Sequence, residues 1–247
     1  MIPKSTESGI LKCTRYLLNL LMFKYGCINY NIFVAGLLRL NCGISEFNFS
    51  QILRECRKVG DYACPNCFSF ISFDVSMICL VCNRPSIDGL THPGCKGKYT
   101  IDGAFCAVSY KGIIKKLIYN FKYKPYIADL KKFLTELFYE SIIQQEIFQK
   151  VLKFSPVLVP ILLSPKRLRK KRYNHAKLLA EGLSQNLNLK LSDILQRTRE
   201  TKSQFGLKLK ERKENVKDVF VLNTKYSILN ANVFLVDDIL TTGSTLL

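Results

Sequence analysis

Two clusters in this sequence have the residue types and spacing for chemistry. The first is VDDILTTGST, Val236 to Thr245. An apolar run ends in two adjacent carboxylates, Asp237 and Asp238, and a stretch of small hydroxyl and glycine residues follows. Backbone N–H groups from Thr242 to Thr245 can cradle a phosphate, and a helix opening there would add its positive end. Gly243 permits close approach and unusual dihedrals. Thr241, Thr242, Ser244 and Thr245 offer hydroxyl donors, while Asp237 and Asp238 can accept from sugar hydroxyls. A plain strand–turn–helix junction is the bland alternative. A loop of this type opens a helix, and only Leu246 and Leu247 follow Thr245, so the expectation is a C-terminus short of that helix.

The second cluster is Cys79-x-x-Cys82 followed by His92-x-x-Cys95. Two knuckles of two ligands can close a tetrahedron around Zn²⁺. Cys64-x-x-Cys67, preceded by Cys56, offers further ligands, and Cys64, Cys67, Cys79 and Cys82 around one ion is an alternative pairing. Paired spacings without an evident export signal favour metal over disulfides. The role expected for the metal is structural, because so short a segment has little core of its own. Cys13, Cys27, Cys42 and Cys106 have no such pattern and read as small apolar residues.

The elements that position these clusters follow from the hydrophobic pattern. The chain has 247 residues, is 48% hydrophobic and carries a formal charge of +18. That charge points to an anionic partner, with a lysine-rich solvated surface as the alternative. Ala104, Cys106, Val108 and Tyr110 alternate as in a strand. Ile113, Ile114, Leu117, Ile118 and Phe121 share one helical face, which Pro125 ends. Leu130 to Phe138 is a second helix. Val157 to Leu162 suits a buried parallel strand. A helix over Asn174 to Leu187, a short strand at Ile194 to Arg197, a helix at Leu209 to Val216 and a last strand at Asn232 to Val236 complete the pattern. Alternating strands and helices imply an α/β fold with a parallel sheet, whose ligands bind at the carboxyl ends of the strands.

Three parts result: an N-terminal extension (1–50), a metal module (51–98) and an α/β domain (99–247). In the first, the apolar pieces Tyr16 to Met22 and Ile28 to Leu40 are broken by Lys24 and by Asn29 to Asn31. Neither reaches the roughly 20 residues that span a bilayer. They read as a helical or poorly structured extension without stable membrane insertion.

From residue 56 onward the sequence resembles the ComF family, which couples a zinc module to a type I phosphoribosyltransferase-like domain. The closing motif resembles the phosphoribosyl diphosphate loop of such transferases. VLVPILLSPKRLRKKRYNHAKLLAEGL resembles the family's strand, basic loop and helix start, read here as Lys171-Arg172-Tyr173-Asn174-His175. The glycine and glutamine of that start are absent. Thr201, Gln204, Leu207, Arg212, Asn215 and Phe220 match a further series, and Ser86 to Cys95 resembles the zinc module of some members. The resemblance implies a 5′-phosphate held by the Thr-Gly-Ser-Thr loop. It implies ribose hydroxyls met by Asp237 and Asp238, directly or through Mg²⁺, and pyrophosphate held after Pro160 by Lys166, Arg167 and Arg172. It also implies a role in DNA uptake during natural transformation, in the cytoplasm, with single-stranded DNA and a competence helicase as partners. A transferase and a nucleic-acid-handling protein are the two competing functions. For the second, Lys166 to Arg172 supplies phosphate contacts and Tyr173 a stacking ring. The run Lys208 to Lys213 reads as a solvated helix face.

Overall fold

The structure, a computed structural model, describes the backbone of residues 32–39 and residues 68–97, 100–123, 128–201, 208–223 and 232–240. Outside the described residues lie the loop Thr241 to Thr245, the cysteines Cys13, Cys27, Cys42, Cys56, Cys64 and Cys67, and the motif positions Gln204 and Leu207.

Four parallel strands form the main sheet in the order β2-β1-β6-β3. They are β1 (Ile32–Arg39), β2 (Gly103–Ser109), β3 (Val157–Pro160) and β6 (Val233–Asp237). A separate antiparallel pair joins β4 (Leu195–Arg197) to β5 (Phe220–Leu222). The helices are α1 (Gly112–Lys122), α2 (Leu130–Ile143), α3 (Glu146–Leu152), α4 (Pro165–Lys171), α5 (His175–Leu187) and α6 (Leu209–Val216). The fold is therefore mixed α/β with a parallel sheet.

Strand β1 corrects the reading of residues 28–40 as a helical or poorly structured extension. Its backbone pairs on one side with β2, Val34 opposite Ala104, and on the other with β6, Val34 opposite Leu235. A short continuous apolar run has no period that separates a central strand from a helix, so its neighbours decide.

Strand β2 is buried at all seven positions, although its sequence alternates as if one face met water. Both faces are covered. Phe105, Phe234, Val236 and Leu158 pack beneath the helices, against Ile114, Leu134, Phe138 and Leu179. Ala104, Cys106, Val159, Val233 and Leu235 face a second core with Leu80, Ile101, Leu195 and Phe220. On the helical side Phe148 stacks on Phe234, centroids 5.4 Å apart and planes 9° apart, with Phe105 edge-on to both. Full burial of such a ring stabilises by about 1.5–3 kcal/mol. The outer edge of β3 is covered too: Leu158 N–H donates to Lys190 and its carbonyl accepts from Ser192. Covering an edge removes a template for aggregation.

Helix α4 occupies the stretch read from sequence as a basic loop. Pro165 sits at its start and the Ser164 hydroxyl accepts from Arg167 N–H, so the first turn is capped despite the basic residues on both sides of Leu168. Helix α6 falls on Leu209–Val216, as its pattern predicts. Among the described residues, no helix is long and apolar enough to cross a membrane.

Candidate functional site

The metal cluster is built by two tight turns. Cys79 N–H donates to Arg84 and its carbonyl accepts from Asn83, whose left-handed φ of 58° closes the first knuckle. Pro93–Cys95 forms a short 3-10 turn in which Cys95 N–H donates to the His92 carbonyl. The ligand atoms of Cys79, Cys82, His92 and Cys95 all lie within 4.8 Å of one another. A tetrahedron with bonds of about 2.3 Å has edges of about 3.8 Å, so the four residues fit one ion such as zinc.

The imidazole is already oriented for that duty. His92 Nε2 lies 2.9 Å from the Pro85 carbonyl, to which it can only donate, and Nδ1 lies 3.3 Å from Cys82 Sγ. A metal-ligating histidine is typically fixed by such a bond from its other nitrogen. The thiols differ in their charge environment. Backbone N–H donation at Arg84 pulls Cys82 down to about 7, while burial and the other two thiols push Cys95 up to about 11. Three thiolates at this spacing repel one another, and a divalent ion removes that cost.

The module is fastened to the sheet. Leu90 bridges Gly103, and the Thr91 hydroxyl donates to Ile101 at 2.6 Å. Gly89, at φ +72°, lets the chain pass so close that an added Cβ would stand 2.2 Å from the Ala104 carbonyl oxygen.

The second cluster sits at the carboxyl end of β6. Asp237 is the last residue of the strand and Asp238 follows it. Asp238 N–H donates to Asp237 Oδ1 at 2.8 Å. Lys122, from the last turn of α1, places its ammonium 2.9 Å from Asp238 Oδ1. Asp238 is 5% exposed. Burial works most strongly against its charge, but the Lys122 ammonium, His175 and the hydrogen bonds from Lys122 and Asp237 together hold its carboxyl below the usual range. Asp237 goes the other way: burial and the neighbouring Asp238 charge push it well up. Lys122 is held above its ordinary value because the two acids outweigh its burial. The two acids are thus pushed in opposite directions, with one ammonium beside them.

His175 opens α5 beside this group. Its ring lies edge-on to Phe121 and Tyr173, and Nε2 is buried without a hydrogen-bond partner. Burial, with Lys171 and Lys122 adding and Asp238 opposing, pulls it down to about 4. Tyr173, expected as a stacking ring, is committed elsewhere: its hydroxyl donates to the Phe121 carbonyl at 2.6 Å.

The expected pyrophosphate contacts are not gathered at one place. Lys166 N–H and the Ser164 hydroxyl donate to the Glu200 carboxylate, at 3.2 and 2.6 Å. Arg167 donates to the Thr201 carbonyl at 2.5 Å, and Arg197 to the Thr201 hydroxyl. Arg172 lies at the far end of α4, about 9 Å along its axis. Lys171, instead, stands near the acids, and burial and the Lys122 charge lower it to about 8. A cleft of about 370 Å³ lies between α4 and α5, lined by Leu162, Leu163, Leu168 and Tyr173 with the Lys177–Asp193 ion pair. Asp237 and Asp238 are not in its wall. Lys122, Arg197 and Glu200 carry no motif signal, since nothing in the local sequence ties them to the acids or to α4.

The chain is similar to competence protein F of Haemophilus influenzae, 39% identical over 97 residues that make up 38% of this chain. It covers 42% of that relative's length. No family model and no solved structure matches it. That partial match supports the resemblance to the ComF family over the shared stretch.

Proposed function

We propose that this chain is a ComF-like protein whose phosphoribosyltransferase-type domain binds phosphoribosyl diphosphate or a related phosphate ligand in support of DNA uptake during natural transformation. One observation carries the reading. The Asp237–Asp238 pair stands at the carboxyl end of a central parallel strand, with the Thr-Thr-Gly-Ser-Thr run next in sequence. Open parallel sheets take ligands at that edge. The ribose hydroxyls would donate to the acids, the 5′-phosphate would take the backbone N–H groups of the loop, and Mg²⁺ would accompany the ligand's diphosphate. Zinc in the Cys79–Cys82–His92–Cys95 quartet would hold the module against β2. The expected setting is cytoplasmic, with a competence helicase as protein partner.

Titration of the folded protein with labelled phosphoribosyl diphosphate and Mg²⁺ tests this. Saturable binding is expected, weakened by about tenfold or more in Asp237→Asn and in Asp238→Asn, the loss of a buried charged hydrogen bond. No saturable binding, or binding in both variants as tight as in the wild type, overturns it.

A second reading, single-stranded nucleic acid binding, is favoured by a specific surface. Tyr119 and Tyr123 are 55% and 41% exposed on α1, with ring centroids 4.9 Å apart. Lys171 Nζ lies 4.9 Å from the centre of the Tyr123 ring, joining α1 to the basic helix α4. Residues 111–123 and 165–177 contain no acid. Bases stack on such rings while lysines hold phosphates. The stacking residues are then Tyr119 and Tyr123, with the partly buried Tyr173 packed against the core. Replacing both tyrosines by alanine should weaken oligo-dT binding about tenfold, at about 1–3 kcal/mol per stacked base. Unchanged binding, or binding indifferent to salt, removes this reading.

A further inference from the structure

The family resemblance admits Mg²⁺ at the acid pair, and the residues around Asp238 do not fit it. Lys122 Nζ lies 2.9 Å from Asp238 Oδ1, so that oxygen already has a cation against it. Asp237 Oδ1 accepts from Asp238 N–H. A divalent ion bound to Asp238 Oδ1 at about 2.1 Å would lie within about 5 Å of the ammonium. The carboxylate is buried, so little water is available to screen the two cations from each other. Nor can the ammonium easily leave. Lys122 belongs to the last turn of the eleven-residue helix α1, where carbonyl ends favour a cation. Its neighbour Phe121 is fixed in the core, fully buried, with its carbonyl holding the Tyr173 hydroxyl.

We infer that Lys122 is the acid pair's own counter-cation and takes the place of a divalent metal there, so that a sugar ligand meets Asp237 and Asp238 as metal-free hydrogen-bond partners. The inference deepens the reading of these acids as ligand-binding residues and rests on it for the sugar. The substitution of ammonium for metal stands on the ion pair alone. Any Mg²⁺ that travels with a diphosphate ligand would stay on the diphosphate, away from Asp238.

The test uses Mn²⁺ as the probe, since carboxylate oxygens suit it and its free form is read by electron paramagnetic resonance. The zinc-loaded full chain is titrated as wild type, Asp238→Asn, Lys122→Met and the Lys122→Met/Asp238→Asn double variant. The wild type should match Asp238→Asn, with no Mn²⁺ lost to the acids. Lys122→Met should gain a site about tenfold tighter or better, and the double variant should lose it. Wild-type Mn²⁺ binding that disappears in Asp238→Asn overturns the inference, and that comparison holds whether or not Lys122→Met folds. A folded Lys122→Met that binds no more Mn²⁺ than wild type also overturns it. No sugar phosphate enters the assay, so failure of phosphoribosyl diphosphate binding and failure of this inference give different results.

Discussion

The metal quartet and the acid pair are both small clusters of charged ligand atoms, but they are assembled in opposite ways. Cys79, Cys82, His92 and Cys95 lie within one short segment, and two turns made of their own backbone bring them together. The acid group draws Asp238 from the end of β6, Lys122 from the end of α1 and His175 from the start of α5. The first cluster has the donor set to take an ion from outside. The second supplies its own cation. Local sites can therefore be read as metal sites from spacing, whereas a site gathered by the fold can hide its counter-charge far away in sequence.

The largest expected effect separates the two directly. Removing the metal with a chelator, or Cys95→Ser, should unfold the module, because apparent binding energies of about 10–16 kcal/mol are typical of structural zinc in small modules. Amide exchange at Leu90 and Thr91 reads this, and those amides should lose protection while those of Phe234 and Leu235 keep theirs. The same chelator should leave the acid group unmoved.

Next in size is Lys122→Met. It leaves the buried Asp238 charge without its partner and should cost about 3–5 kcal/mol in urea unfolding. Adding Asp238→Asn should return most of that loss. Additive losses in the double variant would mean that the pair is not the counter-ion system described here.

Titration of His175 sharpens the contrast in charge. Its value falls from an ordinary 6.5 to about 4 in the fold. Between those values the unfolded chain takes up a proton that the folded chain refuses. The contribution is full above about pH 6.5 and declines as the pH falls toward 4, by about 2 kcal/mol between pH 7 and pH 5. His175→Phe should remove that slope. Asp237, raised in the fold, contributes a slope of the opposite sign in both proteins, so the difference between them isolates the histidine.

The smallest effect concerns the junction of the two regions. Gly89→Ala should cost about 1–3 kcal/mol, through a left-handed residue and a contact with the Ala104 carbonyl. The loss should appear in thermal unfolding of the whole chain. If it appears only in module exchange rates, the module and the sheet unfold separately.

Much of this was legible in the residues and some was not. Helix α6 and strand β6 lie where the pattern puts them, because their apolar residues and turn signals are local. The helical character of α4 was hidden by its charge: Ser164 and Pro165 cap it, and Glu200 ties down its first turn. Strand β1 is not legible in its pattern because a short continuous apolar run has no period that separates strand from helix, and only its pairing with β2 and β6 decides. Tyr173 and Tyr119 are equally aromatic in sequence, and packing alone leaves the first partly buried against the core and the second on the surface.

Sequence by itself determined the ligand types: three thiols and an imidazole at knuckle spacing, and two adjacent acids after an apolar run. Those follow from chemistry carried by neighbouring residues. Only the tertiary structure decided that Lys122 balances Asp238, that His175 stays neutral, and that Lys171 rather than Arg172 stands near the acids. Charge state depends on distance and burial, and these are set by how α1, α4 and α5 pack around the end of β6.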